Sequence, residues 1–439
     1  MPSRVAAEDG KDAAGSTSAP TDSEAARLRI CVVTVAAGGI GGMQRHTHDL
    51  VRGLVAVGHD VEVICPAARG LTNEMYGARW ELLDSPGRRD PSWSRLVVDA
   101  FRSGESRGSF DVVHSESTTA VPLVLAGVET PVVVKYHGNY VGLAKAHLKR
   151  AASRPRSTPR ELWSLAHLSR RHFRRGNVWA LRDCESIVVS RQQLEDTRRS
   201  HLIRRTRMHV VPNGVDTSLF QPGDQSAARE ALDLPGGFLF VAVGRLNIEK
   251  GFDVAVEALG RIAEHPEAKL VIVGDGDQRP RLDGLARALD LDERVVFAGS
   301  QPQELVASFL VASDVFLFPT RRDEAGPLVL PQALACGLPV VASRIGGITE
   351  VVEPSGGQPV GILVSSGDVV ELESAMRELL AEPDARETLS RRARARAVEE
   401  YGLETMVERT VAVYRIAISR AGAAGSSRIA TDASAKMRA

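Results

Sequence analysis

Residues 238–263 read FLFVAVGRLNIEKGFDVAVEALGRIA. The run from Phe238 to Val243 is apolar throughout, which predicts a parallel strand buried on both faces. Gly244 to Gly251 form a turn, and a helix is expected over 252–263. Strands predicted over 269–273, 294–297, 315–318 and 339–343, with helices between them, continue the alternation. The preceding half repeats the scheme: strands over 28–35, 61–65, 111–114, 131–136, 186–190 and 209–211, with a helix over 43–57 after the first. Between the halves, residues 216–237 carry Pro222, Gly223, Pro235, Gly236 and Gly237, read as linker punctuation. Two βαβ arrays in one chain predict an α/β protein with two Rossmann-like, doubly wound domains facing a cleft. Ligands of such sheets bind beyond the carboxyl ends of the strands.

The domains are expected at 28–216 and 217–400. A helix over 401–420 follows, in which Val407, Val411, Val413, Tyr414 and Ile416 supply an apolar face. Residues 1–27 and 421–439 are expected as disordered tails, because they are poor in large apolar side chains.

Composition narrows the function classes. The 439 residues are 43% hydrophobic and 25% charged, a soluble globular profile. Lys+Arg and Asp+Glu both number 55, so a protein coating nucleic acid along its surface is not expected. Cys31, Cys65, Cys184 and Cys336 lack C-x-x-C spacing, which argues against a zinc ribbon, a redox dithiol or a disulfide scaffold. No stretch offers the roughly 20 mostly apolar residues of a spanning helix, and residues 1–27 hold no hydrophobic signal core. A cytoplasmic location is expected. Only seven lysines stand against 48 arginines, so a lysine inside a motif carries weight.

Four motifs carry chemistry. Gly38-Gly39-Ile40-Gly41-Gly42 joins the first strand to the first helix. A helix N-terminus offers free N–H groups to an anion, but the segment fails the G-x-G-x-x-G spacing and serves equally as a tight turn. Arg245 and Lys250 lie five apart on a loop leaving the carboxyl end of a strand, where two cations suit a pyrophosphate. Glu324 is read just before a helix beginning at Pro327, with Gln332 eight residues on. Glu324 is then either a ligand group or a helix-cap charge. His137, in Lys135-Tyr136-His137-Gly138, stands at a strand tip, where a histidine can donate to a hydroxyl or carry a proton.

These segments, with Val211-Pro212-Asn213-Gly214-Val215-Asp216, Val271-Ile272-Val273-Gly274-Asp275-Gly276 and Ala335-Cys336-Gly337-Leu338-Pro339, resemble the retaining GT-B glycosyltransferases of the group-4 type. The resemblance covers residues 28–419. It implies metal-independent transfer of a sugar from a nucleotide-diphosphate-sugar donor to a sugar or lipid-linked acceptor, with no cofactor. By resemblance, Arg245 and Lys250 match donor-phosphate positions and Leu328 a backbone phosphate contact. Gly41 and Gly42 match the loop that closes over the donor. Glu324 matches the acid at the donor sugar, and His137 the histidine near the reacting centre. The last helix is implied to cross back onto the first domain.

One position departs from the family pattern. Gln332 stands where a glutamate usually holds the ribose, and an amide has one acceptor oxygen where a carboxylate has two. A nucleotide-sugar epimerase on the same fold, and a non-catalytic sugar-nucleotide-binding subunit, are the alternative readings. Residues 145–175 hold ten basic residues against Glu161, with Trp163 and Phe173 interleaved. Such a segment fits the inner face of an anionic membrane, an anionic acceptor, or simply a solvated helix; nucleic acid is not expected.

Overall fold

A computed structural model describes residues 27–38, 41–87, 90–138, 181–201 and 203–436; for 200–201 and 424–436 it describes the backbone alone. The basic segment 145–175 lies outside the described residues.

Two sheets organise the chain. The first contains β1 (Arg29–Val33), β2 (Asp60–Pro66), β3 (Glu74–Met75), β4 (Ala78–Leu83), β5 (Val112–Glu116), β6 (Val132–Tyr136), β7 (Glu185–Val188) and β8 (Met208–Val210). Their order is β3-β4-β2-β1-β5-β6-β7-β8, parallel except for the β3–β4 pair. The second contains β9 (Phe238–Val243), β10 (Ala268–Val273), β11 (Val295–Gly299), β12 (Val315–Phe318), β13 (Val340–Ser343) and β14 (Gly361–Val364), all parallel, in the order β11-β10-β9-β12-β13-β14. Leu239 to Ala242 and all of β12 are buried, as a strand covered by helices on both faces requires. Strand order reverses between β1 and β5 in one sheet and between β9 and β12 in the other. Loops leaving the carboxyl ends there diverge and open a crevice.

The sequence pattern misses three strands. β4 alternates Arg79 and Glu81 with buried Ala78 and Trp80 next to the edge of the sheet, and β3 is two residues long. β14 is four residues long and follows a stretch rich in Gly and Pro.

The expected linker is also partly structured. Gln225–Ala231 is a helix capped by the Asp224 carboxylate, and the Arg229 guanidinium bonds Ala312 O at 2.8 Å and Asp314 at 2.9 Å. Residues 224–231 therefore pack on the second sheet. The passage between sheets is the shorter segment around Val215. There Val215 N donates to Tyr401 O at 2.8 Å, and Leu403 N to Val215 O at 2.9 Å, so the outgoing and returning chains pair.

The final helix, Leu403–Lys436, continues beyond the Ser419 at which its apolar pattern ends. Where a tail is expected from 421, the backbone is helical to Lys436. Met406, Val407, Val411, Val413, Tyr414 and Ala417 join the core of the first sheet together with Leu50 and Leu54. The returning chain is thereby fastened to the first domain. Cys31, Cys65 and Cys336 are buried free thiols, and Cys184 is a half-buried one. Among the described residues, no helix is long and apolar enough to cross a membrane.

The contact between the helix Gly42–Ala56 and the last helix needs a missing side chain. A Cβ on Gly53 would stand 2.5 Å from Val407 Cγ2. Gly53→Leu is expected to lower stability by about 1–3 kcal/mol through overpacking, despite its better helix propensity. Urea unfolding measures this; unchanged or raised stability would show that the two helices are not in contact.

Candidate active site

The loop after β9 is built to hold Lys250 at the strand end. Asn247 Oδ1 accepts from Lys250 N at 3.1 Å and caps a short turn, Ile248–Lys250. Gly251 then reverses the chain with φ 70°, and a Cβ there would lie 2.0 Å from Pro319 O. Only glycine accepts both the conformation and the approach. The loop after β12 is laced to it: Thr320 Oγ1 and Arg321 N both donate to Glu249 O, at 3.0 and 2.7 Å.

The lacing brings Lys250 Nζ to 2.8 Å from Glu324 Oε1, with Phe318 beneath the ammonium at 5.2 Å from its ring centroid. Glu324 O accepts from Gly347 N at 2.9 Å, which fixes the loop from behind. The helix expected from Pro327 begins later, as Val329–Ala335 with Leu328 at its N-cap. Glu324 therefore lies outside the helix and spends its carboxylate on Lys250, not on a cap. Gln332 sits in that helix, 7% exposed, and its Nε2 donates to Gln303 Oε1 at 2.8 Å. Arg245 is exposed; its carbonyl accepts from Asn247 N at 2.8 Å, and its guanidinium makes no hydrogen bond or ion pair among the described residues.

The first domain faces this array. Gly41 precedes the helix Gly42–Ala56. A Cβ on Gly42 would stand 3.5 Å from Leu328 Cδ1, so the glycine loop and the start of the second-domain helix touch across the cleft. Two further links hold the domains together. Asn213 Nδ2 donates to Gly326 O at 3.1 Å, and the first two N–H groups of the helix Arg191–His201 donate to the Glu350 carboxylate at 2.9 and 2.8 Å. A cavity of about 360 Å3 lies beside these links, lined by Val189, Ser190, Asn213, Gly326, Glu350 and Tyr401 among others. Arg245, Lys250, Glu324, Gln332 and His137 do not line it. It sits behind the Glu324 loop, toward the chain crossing.

His137 follows β6, and its side chain is 9% exposed. Gln193 Nε2 donates to the carbonyls on either side of it, Tyr136 O at 3.0 Å and Gly138 O at 3.3 Å. His137 Nε2 bonds Glu116 Oε2. Glu116 is fully buried and also meets His114 Nε2 at 3.2 Å and His46 Nε2 at 3.5 Å, both through Oε1. Burial alone would push the Glu116 carboxyl up; the surrounding histidines outweigh it and hold the group well below the usual carboxylate range. Burial, then the Lys135 ammonium, lowers the His46 imidazole well below its usual value. Lys135 Nζ is buried without a hydrogen-bond partner among the described residues, and burial lowers it to about 8.

Sequence reasoning did not single out Glu116, His46, Gln193 or Glu350. The available signal was His114-Ser115-Glu116 at the carboxyl end of β5: alternate residues share one face of a strand. The register of β5 on β6 sets Glu116 beside Lys135. The donor atoms of His46, Glu116 and His137 lie within 4.8 Å of one another, close enough for a shared cation by spacing alone. The site is poorly suited to one, because Glu116 already pairs with His137 and the Lys135 ammonium adds positive charge beside it.

Lys135 yields a test by linkage. Its folded value of about 8 lies below the unfolded 10.5, so between these values the unfolded chain binds more protons and stability rises with pH. Relative to Lys135→Met, the wild type should gain roughly 3 kcal/mol across that window. Urea unfolding at about pH 7.5 and pH 10 measures the difference. A gap that does not change with pH would mean that Lys135 is hydrated.

Known proteins resemble the chain in sequence and in fold. Residues 224–396 match the family Glycosyl transferases group 1, and residues 40–219 match Glycosyltransferase Family 4. A D-inositol 3-phosphate glycosyltransferase of Xylanimonas cellulosilytica is 30% identical over 414 residues, covering 87% of this chain and 93% of that protein. Among solved structures, sucrose-phosphate synthase from Thermosynechococcus elongatus superposes with a TM-score of 0.71 at 23% identity, covering 90% of this chain and 100% of the other. Anabaena HepE in complex with UDP gives 0.70 at 20% identity, covering 88% and 98%. Both share the fold of two facing Rossmann-like domains.

Proposed function

The chain belongs to the group-1 and family-4 glycosyltransferases, and from that premise we propose that it moves a sugar from a nucleotide-diphosphate donor to a hydroxyl of a sugar or lipid-linked acceptor, retaining the anomeric configuration and using no metal. The observation that carries this reading is the Lys250–Glu324 pair, 2.8 Å apart at the second sheet's reversal of strand order. Glu324 lies four residues before Leu328, whose Cδ1 a Cβ on Gly42 would meet at 3.5 Å.

Each residue then has a physical task. Arg245 and Lys250 bind the donor diphosphate and neutralise the charge that grows on it as it leaves. The exposed, unpaired Arg245 is available for this at once; Lys250 exchanges part of its contact with Glu324 for phosphate oxygen. The first N–H groups of the helix after Leu328 add donors to the same anion. Glu324, relieved of part of its ion pair, accepts from hydroxyls of the donor sugar. Gln332 has its Nε2 on Gln303, so its Oε1 remains the acceptor for a ribose hydroxyl. Gly41 and Gly42 close over the donor from the first domain. His137 meets the sugar near the reacting carbon. The acceptor hydroxyl attacks on the face from which the diphosphate departs, and a departing phosphate oxygen takes its proton.

The complex of HepE with UDP supports uridine donors as the first to try. The inositol-phosphate relative supports an anionic acceptor, which the basic segment 145–175 would suit, as it would an anionic membrane surface.

A thermal-shift screen of UDP-glucose, GDP-mannose and ADP-glucose tests the reading. The donor class that binds should raise Tm by mass action, a stabilisation of about 2.7 kcal/mol at a hundred times Kd. Lys250→Met should abolish the shift, and Gln332→Glu should preserve or enlarge it. No shift with any nucleotide sugar, or an equal shift in Lys250→Met, would overturn the donor site described here.

A further inference from the structure

We propose that Glu116 is a positioning residue for His137, the end of a buried hydrogen-bond chain Tyr414–His114–Glu116–His137 that fixes which imidazole nitrogen of His137 carries the proton. The inference rests on the role given to His137 above and extends it to three residues outside the donor site.

The chain is continuous. Tyr414, on the last helix, has its hydroxyl 2.8 Å from His114 Nδ1. His114 Nε2 lies 3.2 Å from Glu116 Oε1, and Glu116 Oε2 bonds His137 Nε2. Tyr414, His114 and Glu116 are all buried. Proton positions follow from the chemistry of the groups. Burial pushes the Tyr414 phenol well above its usual value, so it keeps its proton and donates to His114 Nδ1. A neutral His114 with Nδ1 accepting must carry its hydrogen on Nε2, which donates to Glu116. An ionised carboxylate only accepts. His137 therefore donates through Nε2, leaving Nδ1 without a protein partner among the described residues. The opposite polarity would set a bare His114 nitrogen against a carboxylate oxygen.

The ring is also held mechanically. His46 packs on it with centroids 4.8 Å apart, and Gln193 pins the backbone on both sides. Burying a carboxylate costs several kcal/mol, and here that charge sits at the contact that orients the site histidine. Lys135, beside Glu116 in register, offsets the charge without a hydrogen bond that would compete for either oxygen.

Long-range nitrogen–proton NMR on histidine-labelled protein at about pH 8, where imidazoles are largely neutral, reads the tautomer directly. The His137 signal is identified by its loss in His137→Ala. The wild type should show His137 with the hydrogen on Nε2, and Glu116→Gln, an isosteric change that leaves one acceptor oxygen for two histidines, should shift the population toward Nδ1–H. Glu116→Asp should restore the wild-type tautomer in part. Should Glu116→Gln fail to fold, Glu116→Asp, which draws the carboxylate back from His137, should by itself shift part of the His137 population toward Nδ1–H, whereas Tyr414→Phe, which leaves the carboxylate in place, should not. Turnover of whichever of UDP-glucose, GDP-mannose or ADP-glucose stabilises the protein adds a second readout: Glu116→Gln should lower kcat at least about tenfold with donor KM within about twofold. It should have no further effect in the His137→Ala background. A His137 tautomer that is Nδ1–H in the wild type, or unchanged by both Glu116→Gln and Glu116→Asp, would overturn the inference. Full turnover in His137→Ala with the tautomer behaving as expected would instead remove His137 from the chemistry and leave the chain intact.

Discussion

The pairing of two chain crossings at Val215 and Gly402 is the constraint on which the rest depends. A parallel doubly wound sheet presents its ligand-binding loops at one edge only, the carboxyl ends of its strands. Two such sheets make one site only if those edges are turned toward each other. The paired crossings and the final helix packed on the first sheet impose that orientation. Each fully buried Val or Tyr on that helix contributes roughly 1.5–3 kcal/mol through the hydrophobic effect. Glu350 adds a link from the second domain to the N-terminus of the helix Arg191–His201, where two backbone N–H groups would otherwise lack partners.

Two charge pairs in the cleft differ in the way their tasks require. The Lys250–Glu324 pair is partly exposed. Its side chains keep 19% and 16% of their surface exposed, so on the proposed reading an entering diphosphate reaches a lysine already in place and exchanges with Glu324 for it. Glu116 is fully buried, and breaking a buried pair costs about 3–5 kcal/mol. That interaction is not suited to exchange with a ligand. It holds geometry. On the proposed reading, the partly exposed pair serves binding and the buried one serves orientation.

Much of this was legible in the residues. The apolar runs of β9 and β12 are continuous, β9 between Gly237 and Gly244 and β12 between Asp314 and Pro319, so their limits match the structure end to end. The loops bearing Arg245, Lys250, Glu324 and His137 follow strands, which sets them at one edge of each sheet. Other features were hidden for physical reasons. β4 mixes Arg79 and Glu81 into a strand one short step from the sheet edge, and β14 is too short to show a period. The start of the helix bearing Gln332 shifted because residues 324–327 are held by the Gly347 and Asn213 contacts, which no local pattern displays. Residues 224–231 look like linker until Arg229 is seen bonded to Asp314. Glu116 escaped notice because its role depends on histidines from a helix, its own strand and the next one. Such a group is assembled by topology, and only the alternation of His114 and Glu116 hinted at it.

On the proposed reading, one nucleotide-sugar site is built from loops of both domains. Hydrogen–deuterium exchange with UDP-glucose, GDP-mannose and ADP-glucose in turn measures it most directly. One donor class should slow exchange together in peptides covering residues 41–46, 244–251 and 324–332. Protection confined to a single domain, or absent with all three donors, would contradict a shared site.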